Sequence, residues 1–384
     1  MITTAEWQKC QQAISKGEKP MKVNVKRDVL LKGLQRVCNI IGSRTTIPVL
    51  ANIVMEAKDG FIHMTTTDLE LRISTKLPAD VQEAGITTVP AKRLLGLVSK
   101  FKAEDVVMDS DDSFNVKILC GTADFKLLGL DPKDFPEAVE FTPLRKFKLK
   151  QADFARLIDR ISYAVSLDDS RKVLHGILVS IKEGVLTTVA TDGKRLALSE
   201  KLLEEPCEGT EGDVIITLKS ATEAKRILEK EGEIFIEIGE NLVSFKIGDT
   251  EIVSKLIEGN YPQYRAVIPQ NFSKSVTIPC GDFSDALDIV SIPLSDSSSY
   301  VKLTFAENQL KFEANSNVGE GREVMPIEYG FEEVAVSFNP QFLADPFRHL
   351  DVENVTLNMN DSFSPIELVS GDGFIYIIMP MRKS

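Results

Sequence analysis

Gly-Phe-Ile-His-Met-Thr-Thr-Thr-Asp-Leu-Glu at 60–70 and Gly-Val-Leu-Thr-Thr-Val-Ala-Thr-Asp-Gly-Lys at 184–194 are two copies of one phrase. A weaker third copy, Gln-Leu-Lys-Phe-Glu-Ala-Asn-Ser, stands at 309–316. Thr67 precedes Thr191 by 124 positions, and Thr191 precedes Asn315 by the same interval. Just upstream, Ile53, Ile177 and Val301 keep that step. Solenoid repeats of ~20–50 residues stack because no single unit buries its own core. An interval of this length is instead domain-sized, and 384 residues accommodate two or three domains of ~100–200 residues. The chain therefore reads as three tandem copies of one domain at 21–143, 144–271 and 272–384, preceded by an extension at 1–20 of unassigned role. Short linkers marked by Pro143 and Pro269 imply rigid docking of the units.

Each copy runs helix, strands, helix, strands. In the first, Val29, Leu30, Leu34 and Val37 recur at helical spacing and predict a helix over 26–40. Strands are expected over 49–57 and 61–74, a second helix over 90–101, and a meander over 106–108, 114–118 and 124–128. The second copy predicts helices at 151–165 and 218–230, with strands at 176–181 and 185–199. The third predicts helices at 281–292 and 340–349, with strands at 355–359, 366–368 and 374–379. The fold class is α+β, with two helices per unit laid on mostly antiparallel sheets. Asp109–Ser113 lacks the glycine-centred spacing and terminal Glu of a calcium loop and reads as a solvated turn.

The bulk composition, 43% hydrophobic and 27% charged, is that of an ordinary globular chain. No apolar run approaches the ~18–20 residues of a membrane span, and the start lacks a basic segment followed by an apolar core. Five scattered cysteines without Cys-x-x-Cys argue against a disulfide framework or structural zinc and for a reducing cytosol. His occurs only at 63, 175 and 349, without ligand spacing. A hydrolase built on Asp68, Asp192 and His63 is disfavoured, because the Thr-Asp pairs read as turn formers after strands. No Gly-x-x-x-x-Gly-Lys-Ser/Thr loop exists for ATP. Neither catalysis, metal nor cofactor is expected.

The net charge of −12 conceals a segregated distribution. Residues 26–36 carry +3, 90–102 carry +4, 148–160 carry +2 and 219–231 carry +1, whereas 280–290 carry −3 and 339–349 are neutral. The six helical stretches together hold +7, leaving −19 on the rest of the chain. Basic helices on an acidic chain create one face that attracts polyanions. The helices carry no interleaved aromatics and no zinc-finger or basic-zipper pattern, so phosphate contact independent of sequence is expected.

Five phrases in order then carry a resemblance from Met21 to the end: Arg44-x-x-Ile47-Pro48-Val49-Leu50-x-Asn52, Thr67-Asp68-Leu69-Glu70, Ala190-Thr191-Asp192-Gly193-Lys194-Arg195-Leu196, Tyr261-Pro262-x-Tyr264-Arg265 and Met379-Pro380-Met381-Arg382. The chain resembles the bacterial DNA polymerase III beta subunit family of replicative sliding clamps. That resemblance implies two chains closing head to tail into a ring, with helices lining a hole for duplex DNA. It implies a homodimer in the cytoplasm at the nucleoid. Its implied partners are the polymerase III alpha subunit, the clamp loader, and motif-bearing repair polymerases, ligase and mismatch-repair proteins. Among DNA-contacting residues it points to Arg44 and Lys172, and the basic helices add Lys26, Arg27, Lys92, Arg93 and Lys150. A pocket for a short apolar peptide is implied at Arg171, Leu174, Thr191, Gly193, Lys194, Arg195, Leu196, Pro262 and Val267. The carboxyl end contributes Ile377, Met379, Pro380, Met381 and Arg382. Taken alone, Ile377 and Met379 read as core strand residues. A ring seam is implied between Phe125 and Leu127 on one side and Ile292 and Leu294 on the other.

Overall fold

The computed structural model describes residues 19–42, 45–139, 141–168, 170–294 and 300–381. Arg44, Arg382 and nearly all of the 1–20 extension lie outside them. Six α-helices are described: α1 (Arg27–Val37), α2 (Ala91–Lys100), α3 (Gln151–Ile161), α4 (Leu218–Arg226), α5 (Cys280–Ser291) and α6 (Pro340–His349). Every strand pairing recorded is antiparallel, as the α+β reading requires.

The repeat holds strand for strand. Asn52–Lys58, Phe61–Thr67 and Leu71–Pro78 recur 124 positions on as Gly176–Lys182, Val185–Thr191 and Arg195–Leu202. They recur again as Val301–Ala306, Gln309–Ser316 and Gly319–Pro326. The quoted phrase is the whole middle strand together with the turn that follows. Thr67 Oγ1 donates to the Leu71 carbonyl at 3.0 Å, and Asp68 Oδ1 accepts from the Glu70 and Leu71 amides at 3.0 and 2.8 Å. Thr191 and Asp192 repeat this with Arg195 and Lys194. A short polar side chain that closes its own backbone in this way makes a turn without help from distant residues.

These turns split the runs read as single strands at 61–74 and 185–199. Likewise the expected strand at 49–57 starts as a 3-10 turn, Pro48–Ala51, because proline lacks the N–H that a ladder needs. Strands Asp80–Glu83 and Gly85–Pro90 carry too weak an alternation to be read from sequence. The Asp-rich turn is an Asx turn: Asp111 accepts from the Ser113 and Asn115 amides, and these and other donors, Asn115 foremost, lower its carboxyl to about 2.

The described residues pack as two compact units, one within 1–151 and 223–256, the other within 152–222 and 257–384. The middle repeat is thus shared between units that each contain one end repeat. In the first unit, strands run in the order Arg145–Lys150, Glu233–Ile238, Leu242–Ile247, Thr250–Lys255, Leu71–Pro78, Phe61–Thr67, Asn52–Lys58, Gly85–Pro90. A five-stranded sheet ends on Ala123–Leu127 as its outer strand. Asp105–Ser110 lies inside that sheet. The second unit holds an eight-stranded sheet, in which Arg195–Leu202 lies beside Phe374–Ile378, and a four-stranded sheet with Gly319–Pro326 at its edge. Helix α1 packs on Leu71–Pro78 and α5 on Gly319–Pro326, each burying an apolar stripe against its sheet.

Candidate functional site

The second unit gathers the resemblance-derived pocket residues around the Thr191–Asp192 turn. Gly193 there has φ +85°, and a Cβ would stand 3.0 Å from Arg171 Nη1, so glycine suits both backbone and space. Beyond the turn, Leu196 pairs with Ile377, and the Met379 amide donates to the Lys194 carbonyl at 3.0 Å. Leu196 and Ile377 are 3% and 1% exposed, and with Leu178, Val189, Leu198 and Ile215 they form one apolar cluster. Half-buried Val173, Ile257, Tyr261, Tyr264 and Ile268 pack against it. Leu196 and Ile377 are therefore the buried floor of the candidate site, while Val267, Pro262 and Met381, its candidate margin, are exposed and Met379 and Pro380 half-buried. Leu174 is buried beside the floor in a 3-10 turn, Lys172–His175. Arg171 and Lys194 are exposed cations at the rim, Arg171 within 3.9 Å of Asp168. Such an apolar base with a cationic rim suits a short peptide that is greasy in part and acidic or polar in part.

Arg195 differs from the other pocket residues. It is 8% exposed, and its guanidinium is occupied by Asp192 (3.1 Å), Asp345 and the Tyr163 carbonyl (2.5 Å), lying 4.2 Å from the Phe342 ring centre. It ties the turn to α6 and does not reach the rim. A buried cation fully paired and hydrogen-bonded in this way holds geometry. On the opposite face of Phe374–Ile378, Tyr376 and Ile378 line a small apolar cavity with Phe283, Leu343 and Phe347, separate from the cleft because strand side chains alternate. Leu178 and Ile215 escaped the sequence reading. Both sit in short apolar runs, Ile177–Val179 and Val214–Ile216, but nothing local brings their strands to Ile377.

The cations divide by use. Lys26 ends the strand Lys22–Lys26 and pairs with Asp105 at 3.0 Å; it is not helical. Arg27 donates to the Val98 and Ser99 carbonyls at the end of α2 and pairs with Asp28 at 2.5 Å. Arg226 does likewise for α1, donating to the Gln35 and Arg36 carbonyls at 2.9 and 2.6 Å. Lys150 is exposed at the end of Arg145–Lys150, and Lys172 is exposed in its 3-10 turn. By contrast Lys92, Arg93 and Lys100 stand exposed on α2 around Gly96, with Lys102 following. Among the described residues these cations have no ion-pair partner, unlike Lys32 and Arg36 on α1.

Phe125 is 41% exposed on the outer strand Ala123–Leu127, with Leu127 half-buried beside it. Ile292 is 81% exposed just past α5, and Leu294 is half-buried. Among the described residues no group of three or more His, Cys, Asp or Glu is placed to hold a metal ion, and no helix is long and apolar enough to cross a membrane.

Three family models match this chain, for the N-terminal, central and C-terminal domains of the DNA polymerase III beta subunit, over residues 21–139, 148–263 and 265–382. The beta sliding clamp of Salmonella typhimurium is 32% identical over 369 residues, covering 94% of this chain and 100% of the relative. Among solved structures, the Bacillus subtilis DNA polymerase sliding clamp superposes with a TM-score of 0.91 at 26% identity, covering 95% of this chain and 100% of that one. The Pseudomonas aeruginosa sliding clamp, bound to griselimycin, gives 0.89 at 29% identity with the same coverage. With domain order, turn chemistry and strand pairing in agreement along the chain, it belongs to the DNA polymerase III beta subunit family, the non-catalytic beta sliding clamps of DNA replication.

Proposed function

We propose that this chain, a sliding clamp serving the replicative polymerase, joins a second copy head to tail in a ring around duplex DNA, and that partners seat a short apolar peptide over Leu196 and Ile377. The supporting observation is a rule that the sheets obey twice. The third strand of the first repeat, Leu71–Pro78, pairs with the last strand of the second, Thr250–Lys255. The third strand of the second repeat, Arg195–Leu202, pairs with the last strand of the third, Phe374–Ile378, in the same register 124 positions on. The third strand of the third repeat, Gly319–Pro326, has a free edge, and so does the last strand of the first repeat, Ala123–Leu127. Applying the rule once more between two chains satisfies both edges, which are otherwise open to uncontrolled pairing. Repeating this between copies closes a two-fold ring with two identical seams.

The register follows from the hairpin turns. Cys120–Ala123 matches Ile247–Thr250, each with a glycine at positive φ, Gly121 and Gly248. Carried through, Glu320 of one copy faces Lys126 of the other, and Arg322 faces Asp124. Both pairs are complementary, as a specific seam requires. Ile292 and Leu294 flank this edge with Phe125 and Leu127 opposite.

Inside the ring, Lys92 and Arg93 are the principal phosphate contacts, joined by Lys172, Lys150 and Arg44, whereas Lys26 and Arg27, expected to join them, are held by Asp105 and by the end of α2. Loose contacts suit a clamp that must slide, and tethering raises the effective concentration of its partner at the primer end. The partners are the polymerase III alpha subunit, the clamp loader and repair proteins bearing the same peptide motif, in the cytoplasm at the nucleoid. Leu196→Ala with Met379→Ala is expected to abolish pull-down of the alpha subunit and loader while the dimer mass persists; retained binding removes the cleft assignment. Glu320→Lys is expected to loosen the dimer, and Lys126→Glu added to it to restore it, read by light scattering. Failure of that rescue overturns the register.

A further inference from the structure

The internal symmetry places a counterpart of the peptide cleft in the first repeat, within the first unit. Strand pairing matches residue for residue: Arg72 faces Val253 as Leu196 faces Ile377. The Lys255 amide donates to the Glu70 carbonyl at 3.1 Å, as the Met379 amide does to Lys194. The 3-10 turn Pro48–Ala51 stands where Lys172–His175 stands, with Val49 and Val54 in the places of Val173 and Leu178. The backbone of the cleft is thus built twice, but the filling differs. Thr88, opposite Val54, replaces Ile215, opposite Leu178, and donates its hydroxyl to the Leu130 carbonyl at 2.8 Å. Arg72 replaces the floor residue Leu196. Its guanidinium donates to the Pro136 carbonyl and lies 5.6 Å from the Phe135 ring centre. Phe135 is 8% exposed and clusters with Val49, Val54 and Ile86. Burial lowers the Arg72 guanidinium to about 10, consistent with a side chain drawn inward.

We infer that Arg72 plugs the first-repeat copy of the cleft, pinning the Phe135–Pro136 segment over the space that a partner's apolar side chains would take, so that each chain offers one peptide site. This rests on the cleft assignment in the second unit. A leucine floor with an open margin receives a peptide, whereas an arginine hydrogen-bonded to a backbone carbonyl and laid against an aromatic ring holds that margin shut.

The test counts sites, which a merely structural role for Arg72 would not change. A fluorescein-labelled hexapeptide containing leucine and phenylalanine is titrated by anisotropy against the full chain at concentrations well above its Kd. Wild type is expected to saturate at one peptide per chain and Leu196→Ala to bind none. Arg72→Leu is expected to saturate at two, and Arg72→Leu with Leu196→Ala at one. Arg72→Met, which keeps an unbranched stem against Phe135, guards against a packing defect in the leucine variant; two peptides per chain in either variant supports the plug. One peptide per chain in both Arg72 variants overturns it. Wild-type binding untouched by Leu196→Ala removes the cleft assignment instead, so the two failures are distinguishable.

Discussion

Helices α1 and α5 occupy the same place in the first and third repeats, and their sequences can be laid over one another position by position. Leu30, Gly33, Leu34 and Val37 are buried on α1; Phe283, Ala286, Leu287 and Val290 are buried at the matching positions of α5. The outward positions have opposite character. Val29, Lys32, Gln35 and Arg36 on α1 become Asp282, Asp285, Asp288 and Ile289 on α5. Close approach to the sheet is also solved differently. Gly33 on α1 makes room for Leu77 and Met64, whereas in the third repeat the glycine is on the strand, Gly321, facing the Val290 carbonyl. The end of α1 is covered from within its own unit: Arg226 caps the helix, Arg36 meets Glu229 at 2.6 Å and Asn39 meets Glu223. Among the described residues the end of α5 has no such cover, and Ile289 and Ile292 are 54% and 81% exposed. One buried pattern supports two surfaces, one covered by residues of its own unit and one exposed and apolar.

The sharpest break of that comparison is at the bare end. Ile292→Asp places a charge where an apolar contact is proposed, and Phe125→Asp does so on the opposing edge. Each is expected to convert dimers wholly to monomers in light scattering at micromolar chain concentration, with the far-ultraviolet circular dichroism unchanged. An unaltered dimer mass in both would leave the seam without support.

The buried faces should respond alike. Leu34 and Leu287 are 0% and 2% exposed, so truncating either to alanine should cost about 2–5 kcal/mol through forfeited transfer energy and a residual cavity. Urea unfolding should show both variants shifted to lower midpoints, with Leu287→Ala no milder than Leu34→Ala. A neutral result at one site would mean that the two helices do not share a packing mode.

This pair also shows what could be read in advance. The period of 124, the helices and the turn at Thr191–Asp192 were legible because each is a local signal: helical spacing of apolar residues, or a side chain closing its own backbone. Pro340–His349 matched its expected bounds because Asn339 caps it, accepting from the Gln341 and Phe342 amides, with Pro340 following. The cations were less legible. Lys26 and Arg27 count as positive charge in the sequence, yet partners from Asp105 to the Val98 carbonyl claim them, and those contacts span about seventy residues or more. Arg195 was expected at the cleft and instead anchors α6 through Asp345, 150 positions away. The floor formed by Leu178, Ile215 and Ile377 depends on strand order, which no window of sequence contains.

Next in size is the electrostatic contrast. Lys92→Gln with Arg93→Gln removes two exposed cations from α2. The slope of log affinity against log salt for duplex DNA should fall by ~0.9 for each phosphate that is no longer neutralised, up to roughly 2 in all. Asp282→Asn with Asp285→Asn on α5 should leave that slope unchanged or raise affinity slightly by removing like-charge repulsion. A fall in slope from the α5 pair, or none from the α2 pair, would reverse the assignment of the DNA-facing surface.

The smallest difference concerns ion pairs at the two helix ends. On α5, Asp288 lies 3.7 Å from Arg348 with both side chains mostly exposed, and a double-mutant cycle with Asp288→Asn and Arg348→Met should give at most ~0.5 kcal/mol. On α1, Glu229 accepts from Lys32 at 2.9 Å and Arg36 at 2.6 Å, and Lys32 foremost holds its carboxyl below the usual 4.5. A depressed folded-state value means that the unfolded chain binds the proton first. The contribution of Glu229 is therefore present above pH ~4.5 and is lost as pH falls through the lower folded value. Glu229→Gln should slightly reduce the slope of the stability–pH curve in that acidic window and leave its shape near neutrality unchanged, as followed by urea midpoints at stepped pH. Because Glu229 is half exposed, solvent screens both pairs and the effect stays small. An acid slope identical with and without Glu229→Gln would show that the closed end of α1 is held by the Arg226 cap, and that its ion pairs matter no more than the single pair on α5.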